Sequence, residues 1–391
     1  MRFKVLVVTC VIGWLLVGCG RPATSPASSQ PQSPSQPTAP LYPPGPVEPF
    51  ISLADLRQVW QRAEELTTPP RVEVKGIYLT QYTIQNPGVY TELLNLVERT
   101  ELNAMVINVK DDDGLITFQV AEPVAVKGGA VTEALGDVRT LLADLERRGI
   151  YTIARVVTFK DPRAAAANPQ LAAQRVGGGL WRDYNGVAWL DPYNREAWDY
   201  VVRIAKAAAL AGFKEIQFDY VRFPTDGNLE LIVYPKRDGR AREQVIGDFL
   251  THARKELRPY GVWVSADVFG LVTSVSDDMG IGQKLEEVAR GVDYMSPMVY
   301  PSHYARGNLG IPNPNAAPYQ TIYRSMLDAK VRLNKFPHVT MRPWLQDFSW
   351  GHPYGPDEVR GQIQAVYDAG YKEWILWNAA NVYTEAALQK P

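Results

Sequence analysis

The stretch Glu215 to Pro224 reads Glu-Ile-Gln-Phe-Asp-Tyr-Val-Arg-Phe-Pro, an apolar and aromatic run that carries two polar residues, Gln217 and Asp219, at alternate positions. Successive side chains of a β-strand point to opposite faces, so Gln217 and Asp219 share one face. If that face is the inside of a closed parallel barrel, the strand delivers Asp219 to the C-terminal end, where such barrels carry their active sites.

The chain on either side repeats the same kind of segment. Short apolar strands are expected at Lys75 to Thr80, Ala104 to Lys110, Tyr151 to Val157, Glu215 to Val221, Trp263 to Phe269, Tyr294 to Tyr300, Val339 to Leu345 and Glu373 to Asn378. Helical patterns lie between them at 90–101, 135–148, 195–211, 241–258, 282–290, 317–333 and 356–369, several stopping at glycine, as in Arg148-Gly149, Ala211-Gly212 and Ala369-Gly370. Strands alternating with helices make a parallel sheet, and eight such units in about 315 residues predict a (β/α)8 TIM barrel. The rival, a doubly wound open sheet, would normally carry a glycine-rich phosphate turn after its first strand, and Tyr78-Leu79-Thr80-Gln81-Tyr82 is not one. No Walker A pattern occurs, so nucleotide hydrolysis has no support. One connection breaks the rhythm: between the third and fourth strands, Thr158 to Asn194 precede the helix, and a loop of that length on a rigid scaffold is expected over the C-terminal mouth.

The 391 residues carry a formal net charge of −1, with lysines and arginines matched by acids along the length, which argues against nucleic acid as a partner. The N-terminus has the form of an export signal: basic Arg2 and Lys4, an apolar run from Val5 to Val17, and small residues before a cysteine. The run is short for a spanning helix. Its end, Leu16-Val17-Gly18-Cys19, resembles the lipobox of bacterial lipoproteins, so residues 1–19 are read as a lipoprotein signal peptide with Cys19 as the lipidated residue; a plain signal peptide or anchor is the alternative. The expected location is therefore extracytoplasmic, with the chain held at the membrane through its lipid. Residues 20–50, rich in Pro, Ser, Gln and Thr, form a tether that has too little to bury to offset its ordering entropy. Extended at about 3.1 Å per residue, it reaches up to roughly 90 Å. A lead-in helix is expected over 51–71 and the barrel over 72–391. Both cysteines, Cys10 and Cys19, lie in the leader, so no disulfide, thiolate metal site or Cys nucleophile is available to the barrel.

Barrel enzymes take their working residues from strand ends. Tyr78 stands at the end of strand one, Lys110 and Asp112 after strand two, Arg155 in strand three, Asp219 and Arg222 after strand four and Asp267 in strand five. Tyr300 and His303 follow strand six, Arg342, Trp344 and Gln346 strand seven, and Trp377 and Asn378 strand eight. Such a ring of carboxylates, cations and aromatics suits a polyhydroxylated substrate, with the Trp rings as stacking platforms. Asp219 and Asp267 stand out as lone acids within apolar strands, each sharing its face with another polar residue, Gln217 and Ser265. A buried carboxylate needs a partner or water, so each acid either faces a wet cleft or is paired with Arg155, Arg222 or Arg342. Glycoside hydrolysis needs two carboxyl groups, one protonated and one ionised, and adjacent strands four and five could supply them. Asp347 is a weaker third candidate, on the opposite face by strict alternation. The Asp111-Asp112-Asp113-Gly114 run is read as a solvated turn, and the four histidines show no ligand spacing, so neither a metal nor a cofactor is expected.

The segments VKGIYLT, INVKDDDG, FKDP, GGLWRD, WLDPYNREAWDY, EIQFDYVRFPTDG, VSADVFG, YMSPMVYPSHY and RPWLQDF, in this order between Val72 and Tyr383, resemble the bacterial family described as "putative glycosyl hydrolase domain". The resemblance implies a TIM barrel among the barrel glycosidases, akin to amylase-type enzymes with an Asp nucleophile at the end of strand four and an acid at the end of strand five. By position it gives Asp219 the first role and Asp267 the second. The chain departs from that pattern in having Asp at strand five where amylases have Glu, and Gln217 where they have an arginine upstream of the nucleophile. The function implied is a lipid-anchored glycoside hydrolase acting on an extracytoplasmic polysaccharide or oligosaccharide; the alternative is a carbohydrate-binding or envelope-assembly lipoprotein that keeps the barrel without turnover.

Overall fold

The computed structural model describes residues 69–390, and the leader, tether and most of the lead-in helix lie outside them. The strands are β1 Lys75–Leu79, β2 Ala104–Lys110, β3 Tyr151–Val157, β4 Glu215–Asp219, β5 Trp263–Phe269, β6 Tyr294–Val299, β7 in two pieces, Thr340–Met341 and Trp344–Gln346, and β8 Trp374–Trp377. Neighbours pair in parallel in chain order, and β8 returns to β1 through Lys75 opposite Trp374 and Ile77 opposite Leu376. The sheet is thus a closed eight-stranded barrel. Both halves of β7 pair with β6, and only the second pairs with β8. The break falls at Arg342-Pro343, where Pro343 has no N–H to give the ladder.

Crossover helices cover the barrel: α1 Pro87–Arg99, α2 Val138–Arg147, α3 Arg195–Ala211, α4 Arg242–Leu257, α5 Leu285–Ala289, α6 Pro318–Leu333 and α7 Pro356–Asp368. Three start on side-chain caps: the carboxamide or carboxylate of Asn86, Asp137 and Asn194 accepts from the first-turn N–H of Val89, Thr140 and Glu196. The three predicted glycine stops, Gly149, Gly212 and Gly370, take positive φ of 72°, 122° and 86°, which a side chain would disfavour.

Two apolar layers follow from strand alternation. Outward residues such as Ile77, Ile107, Phe218, Ala266 and Leu345 pack against the helices, whereas Val106, Ile153 and Ile375 fill the barrel with Tyr78, Tyr300 and Trp344. The interior is charged at its N-terminal end. There the Arg342 guanidinium donates to Glu215 Oε1 and Oε2 at 2.8 and 2.9 Å and to Glu373 Oε2 at 2.8 Å, lies over the Tyr294 ring at 3.9 Å, and has no exposed surface. Arg342 was expected at the mouth. It is instead the first inward residue of β7, before the Pro343 break, so it points into the base of the barrel and contacts no substrate there.

The long connection after β3 crosses to the loop after β4. Gln174 and Arg175 pair with Val233 and Ile232, and Trp181 Nε1 donates to the Asn228 carbonyl at 2.9 Å. Gly227, at φ 94°, lies so close to the Trp181 ring that a Cβ there would meet it at 2.6 Å. Trp181 and Trp189 are both buried in this joint structure, which walls one side of the mouth.

Candidate active site

At the C-terminal end of β4, Asp219 is 6% exposed. Arg155 Nε donates to its Oδ2 at 2.9 Å, and Nη2 reaches the same oxygen. Arg155 Nη1 donates to Asn108 Oδ1 at 2.7 Å, so a β2 amide fixes the β3 guanidinium that holds the β4 carboxylate. Arg155 stands opposite Gln217 in the ladder. The Asp219 Oδ1 accepts from the N–H of Tyr220 at 2.6 Å, an arrangement reached with Tyr220 at φ 49°, a left-handed conformation costly for a tyrosine and of the kind that clusters at functional sites. This turn also ends β4 at Asp219, two residues before the expected end.

Asp267 lies on β5, beside β4 in a register that pairs Phe218 with Ala266 and so sets the two acids at one level. Its environment differs from that of Asp219. Trp344 Nε1 donates to its Oδ1 at 2.7 Å, and among the described residues no cation lies within ion-pair distance of it. Burial, helped by the nearby Asp219 charge, raises the Asp267 pKa well above the usual carboxylic acid value, against the opposing Trp344 bond and Arg155 charge. Its surroundings thus favour the protonated form of Asp267. Only 1% of it is exposed, so a sugar reaches it only after side chains at the mouth shift.

Aromatic rings close the β6, β7, β8 and β1 side. Tyr78 stacks on Trp377 at 4.3 Å, Trp377 lies edge-on to Trp344 at 5.5 Å and stacked towards Tyr300 at 6.5 Å, and Tyr300 meets His303 at 5.4 Å. Burial pushes Tyr78 up to about 12 and takes Tyr300 well above the phenol range, with the charges of Asp267 and Asp219 adding to the latter. Both hydroxyls therefore stay protonated as donors. His303 keeps an exposed edge, yet desolvation lowers its pKa, leaving a neutral ring at neutral pH. The β2, β3 and β4 side is charged: Lys160 Nζ bonds Asp112 Oδ2 at 2.8 Å and lies 4.8 Å over the Tyr220 ring, while Arg222 sits among Tyr220, Trp189 and Phe269 at 4.9–5.0 Å. Burial pushes the Asp112 pKa up, but the charge and hydrogen bond of Lys160 outweigh it and leave the group lowered. Arg222 is 8% exposed and its Nη1 donates to the Phe223 carbonyl at 3.0 Å.

Of the predicted site residues, Asp219, Asp267, Arg155, Tyr78, Tyr300, Trp377, His303, Asp112 and Arg222 gather at the mouth, and five others serve the scaffold. Arg342 holds the barrel base. Lys110 is fully buried against Asp161 at 2.9 Å, because a register shift between Asn108 and Lys110 brings it level with outward-facing Val156. Trp344, 1% exposed, spends its N–H on Asp267 and offers no sugar platform. Gln346 accepts from the Ser302 N–H and hydroxyl, tying β7 to the loop after β6, and Asn378 donates to the Asp347 carbonyl, tying the end of β8 to the end of β7. Asp347 itself faces away, with its oxygens on the Thr384 N–H and hydroxyl. Asp111 accepts from the N–H groups of Asp113 and Leu115, closing its own turn. The sequence reading passed over Asn108, a polar residue inside an apolar strand like Gln217, and Tyr220 and Lys160, for which the sequence carries no local signal.

Residues 76–383 match the family model described as "putative glycosyl hydrolase domain". The chain belongs to this family. No curated protein matches the chain. Among solved structures, a hypothetical protein from Ruminiclostridium thermocellum is 38% identical over 49% of this chain and 97% of its own, with a TM-score of 0.46. The PgaB (BpsB) glycoside hydrolase domain from Bordetella bronchiseptica is 15% identical, covering 80% of this chain and 95% of its own at a TM-score of 0.55. Flavobacterium johnsoniae chitobiase is 13% identical, covering 81% and 47% at a TM-score of 0.50. At such identities the last two share the barrel fold. Family and fold together make this a glycoside hydrolase barrel.

Proposed function

We propose that the protein hydrolyses glycosidic bonds of an extracytoplasmic polysaccharide or oligosaccharide, with Asp219 as nucleophile and Asp267 as general acid and base in a retaining reaction. The observation that carries this reading is the contrast within the pair: two acids at one level of adjacent strands, one ion-paired to Arg155, the other with no cation beside it, bonded to an indole N–H and pushed by burial towards its protonated form. Asp267 gives its proton to the glycosidic oxygen as the bond to the leaving sugar breaks, and Asp219 attacks the anomeric carbon. Water then enters as Asp267 takes a proton from it, releasing the sugar from Asp219. Arg155 orients Asp219, while Tyr78, Tyr300 and Arg222 hold sugar hydroxyls.

The near-complete burial of Asp267 favours a second reading, a carbohydrate-binding or envelope-assembly protein in which that acid only braces Trp344. One experiment separates the two. The full chain is incubated with a panel of soluble glycans beside Asp219→Asn and Asp267→Asn, with reducing ends and the anomer of the first product followed by NMR. Hydrolysis by the parent, lost in both variants and giving the retained anomer, is expected; glycan binding that survives both substitutions without any bond cleavage by the parent supports the binder. An inverted first product removes the nucleophile role from Asp219.

The leader supports placement outside the cytoplasm, with Cys19 lipidated and the barrel on a tether. Among the described residues no helix is long and apolar enough to cross a membrane. Incorporation of a labelled fatty acid into the full chain, absent from Cys19→Ala, tests the anchor.

A further inference from the structure

The aromatic side of the mouth does not stop at the carboxylates. From Trp344, bonded to Asp267, ring contacts pass through Trp377, Tyr300 and His303 and end on Trp350, whose ring centroid is 5.0 Å from that of His303 at an interplanar angle of 84°. Phe348 packs beneath, edge-on to Tyr300 at 5.8 Å and to His303 at 6.2 Å. Trp344 and Tyr300 are buried and Trp377 and Phe348 half-buried, whereas the wall opens at its end, where His303 is exposed and Trp350 leaves 46% of its surface exposed. An indole of that size left open costs hydration free energy unless something covers it. It is also held in place: the Trp350 carbonyl accepts from Asn315 Nδ2 at 2.7 Å, and the loop beneath it is tied to β7 through the Ser302 bonds to Gln346. Beside it, His303 Nδ1 shares a hydrogen bond with the Ser302 hydroxyl at 3.0 Å, leaving Nε2 with no partner among the described residues. The opposite wall of the mouth, built from Asp112, Lys160 and Arg222, is charged.

We infer that Trp350 and His303 form a distal sugar subsite, so that the substrate is a glycan chain that runs from the carboxylate pair along the aromatic wall and over the β6–β7 rim. The occupant is a sugar ring, not an apolar peptide. An exposed flat ring flanked by a single free imidazole nitrogen matches the C–H face of a pyranose with one hydroxyl at its edge, and the wall leads straight from the glycosidase acids. Trp350 stands two ring contacts beyond Tyr300, of 5.4 Å to His303 and 5.0 Å onward, and touches neither acid, so chain length, not bond chemistry, is what Trp350 reads. The inference rests on the hydrolase reading for the class of ligand, and the experiment separates the two.

The full chain, Trp350→Ala and Trp350→Phe are compared on short and long members of the same oligosaccharide series, drawn from β-glucan, α-glucan and chitin. Trp350→Ala is expected to lower kcat/KM on the long member by about tenfold, mostly through KM, and on the short member by less than about twofold, with Trp350→Phe restoring most of the loss. Equal effects on both lengths, or none on either, overturn the subsite while leaving hydrolysis intact. If the parent cleaves nothing yet retains the long member in affinity electrophoresis, and Trp350→Ala loses that retention, the subsite stands and the hydrolase reading falls. Failure of every series to bind or be cleaved overturns both.

Discussion

Asp267 decides the chemistry at the scale of a single residue. Its raised pKa keeps it protonated above the ordinary carboxyl range, which a general acid requires, so kcat/KM is expected to fall on the alkaline side as Asp267 loses its proton. Asp267→Asn is expected to abolish that limb and to cost about a hundred- to ten-thousandfold in rate on substrates with poor leaving groups, and far less on activated aryl glycosides. The Trp344 N–H favours the charged form of the acid, so Trp344→Phe raises the Asp267 pKa further and moves the alkaline limb to higher pH. A limb that moves down would sink the assignment. Stability carries the same signature. A carboxyl whose folded pKa is raised contributes stability that is fully present below its unfolded pKa and is lost as pH rises through the folded value. Urea unfolding at a series of pH values should show that alkaline loss in the parent and a flatter profile in Asp267→Asn.

Elements explain why some residues landed where the sequence placed them and others did not. The starts of β2, β3, β4, β5 and β6 coincide with their apolar runs, because a strand buried on both faces is written as a continuous hydrophobic segment. Alternation then put Asp219 with Gln217 and Asp267 with Ser265 inside the barrel. Lys110 escaped that logic through a one-residue register shift in β2, and such a slip reverses which face a side chain takes. Arg342 escaped it by height: alternation gives the face correctly, yet depth in the barrel depends on where β7 pairs with β6, and Arg342 sits at the level of Glu215, not Asp219. Tyr220 and Trp350 depend on backbone turns that no periodicity announces. The joined loops after β3 and β4 offer a test at this scale. Gly227→Val puts a branched side chain into the Trp181 ring in a backbone conformation that L residues avoid, so it is expected to destabilise by about 1–3 kcal/mol. It should also open the 221–240 loop to limited proteolysis and lower kcat/KM through Arg222 and Tyr220. Unchanged proteolysis would show that the two loops do not depend on this contact.

Inside the barrel, the buried charges divide between its two ends. The upper set, Arg155, Asp219 and Asp267, leaves one acid without a cation and so stores electrostatic cost where substrate arrives. The lower set, Arg342 between Glu215 and Glu373 with Tyr151 donating to Glu215, pairs its charges and closes the base. Stability residues at one end and reactive residues at the other are the usual division in barrels of this kind, and here it has a measurable consequence. Arg342→Met removes the partner of two buried carboxylates, so it should cost about 3–5 kcal/mol in urea unfolding. Its kcat/KM per folded molecule should stay within about twofold of the parent, because nothing at the mouth touches it. Asp267→Asn should do the reverse, holding or improving stability at alkaline pH while removing turnover. If Arg342→Met instead loses activity at full stability, the base of the barrel is coupled to the mouth through the interior polar residues Gln217, Ser265 and Ser296, and the separation of the two ends fails.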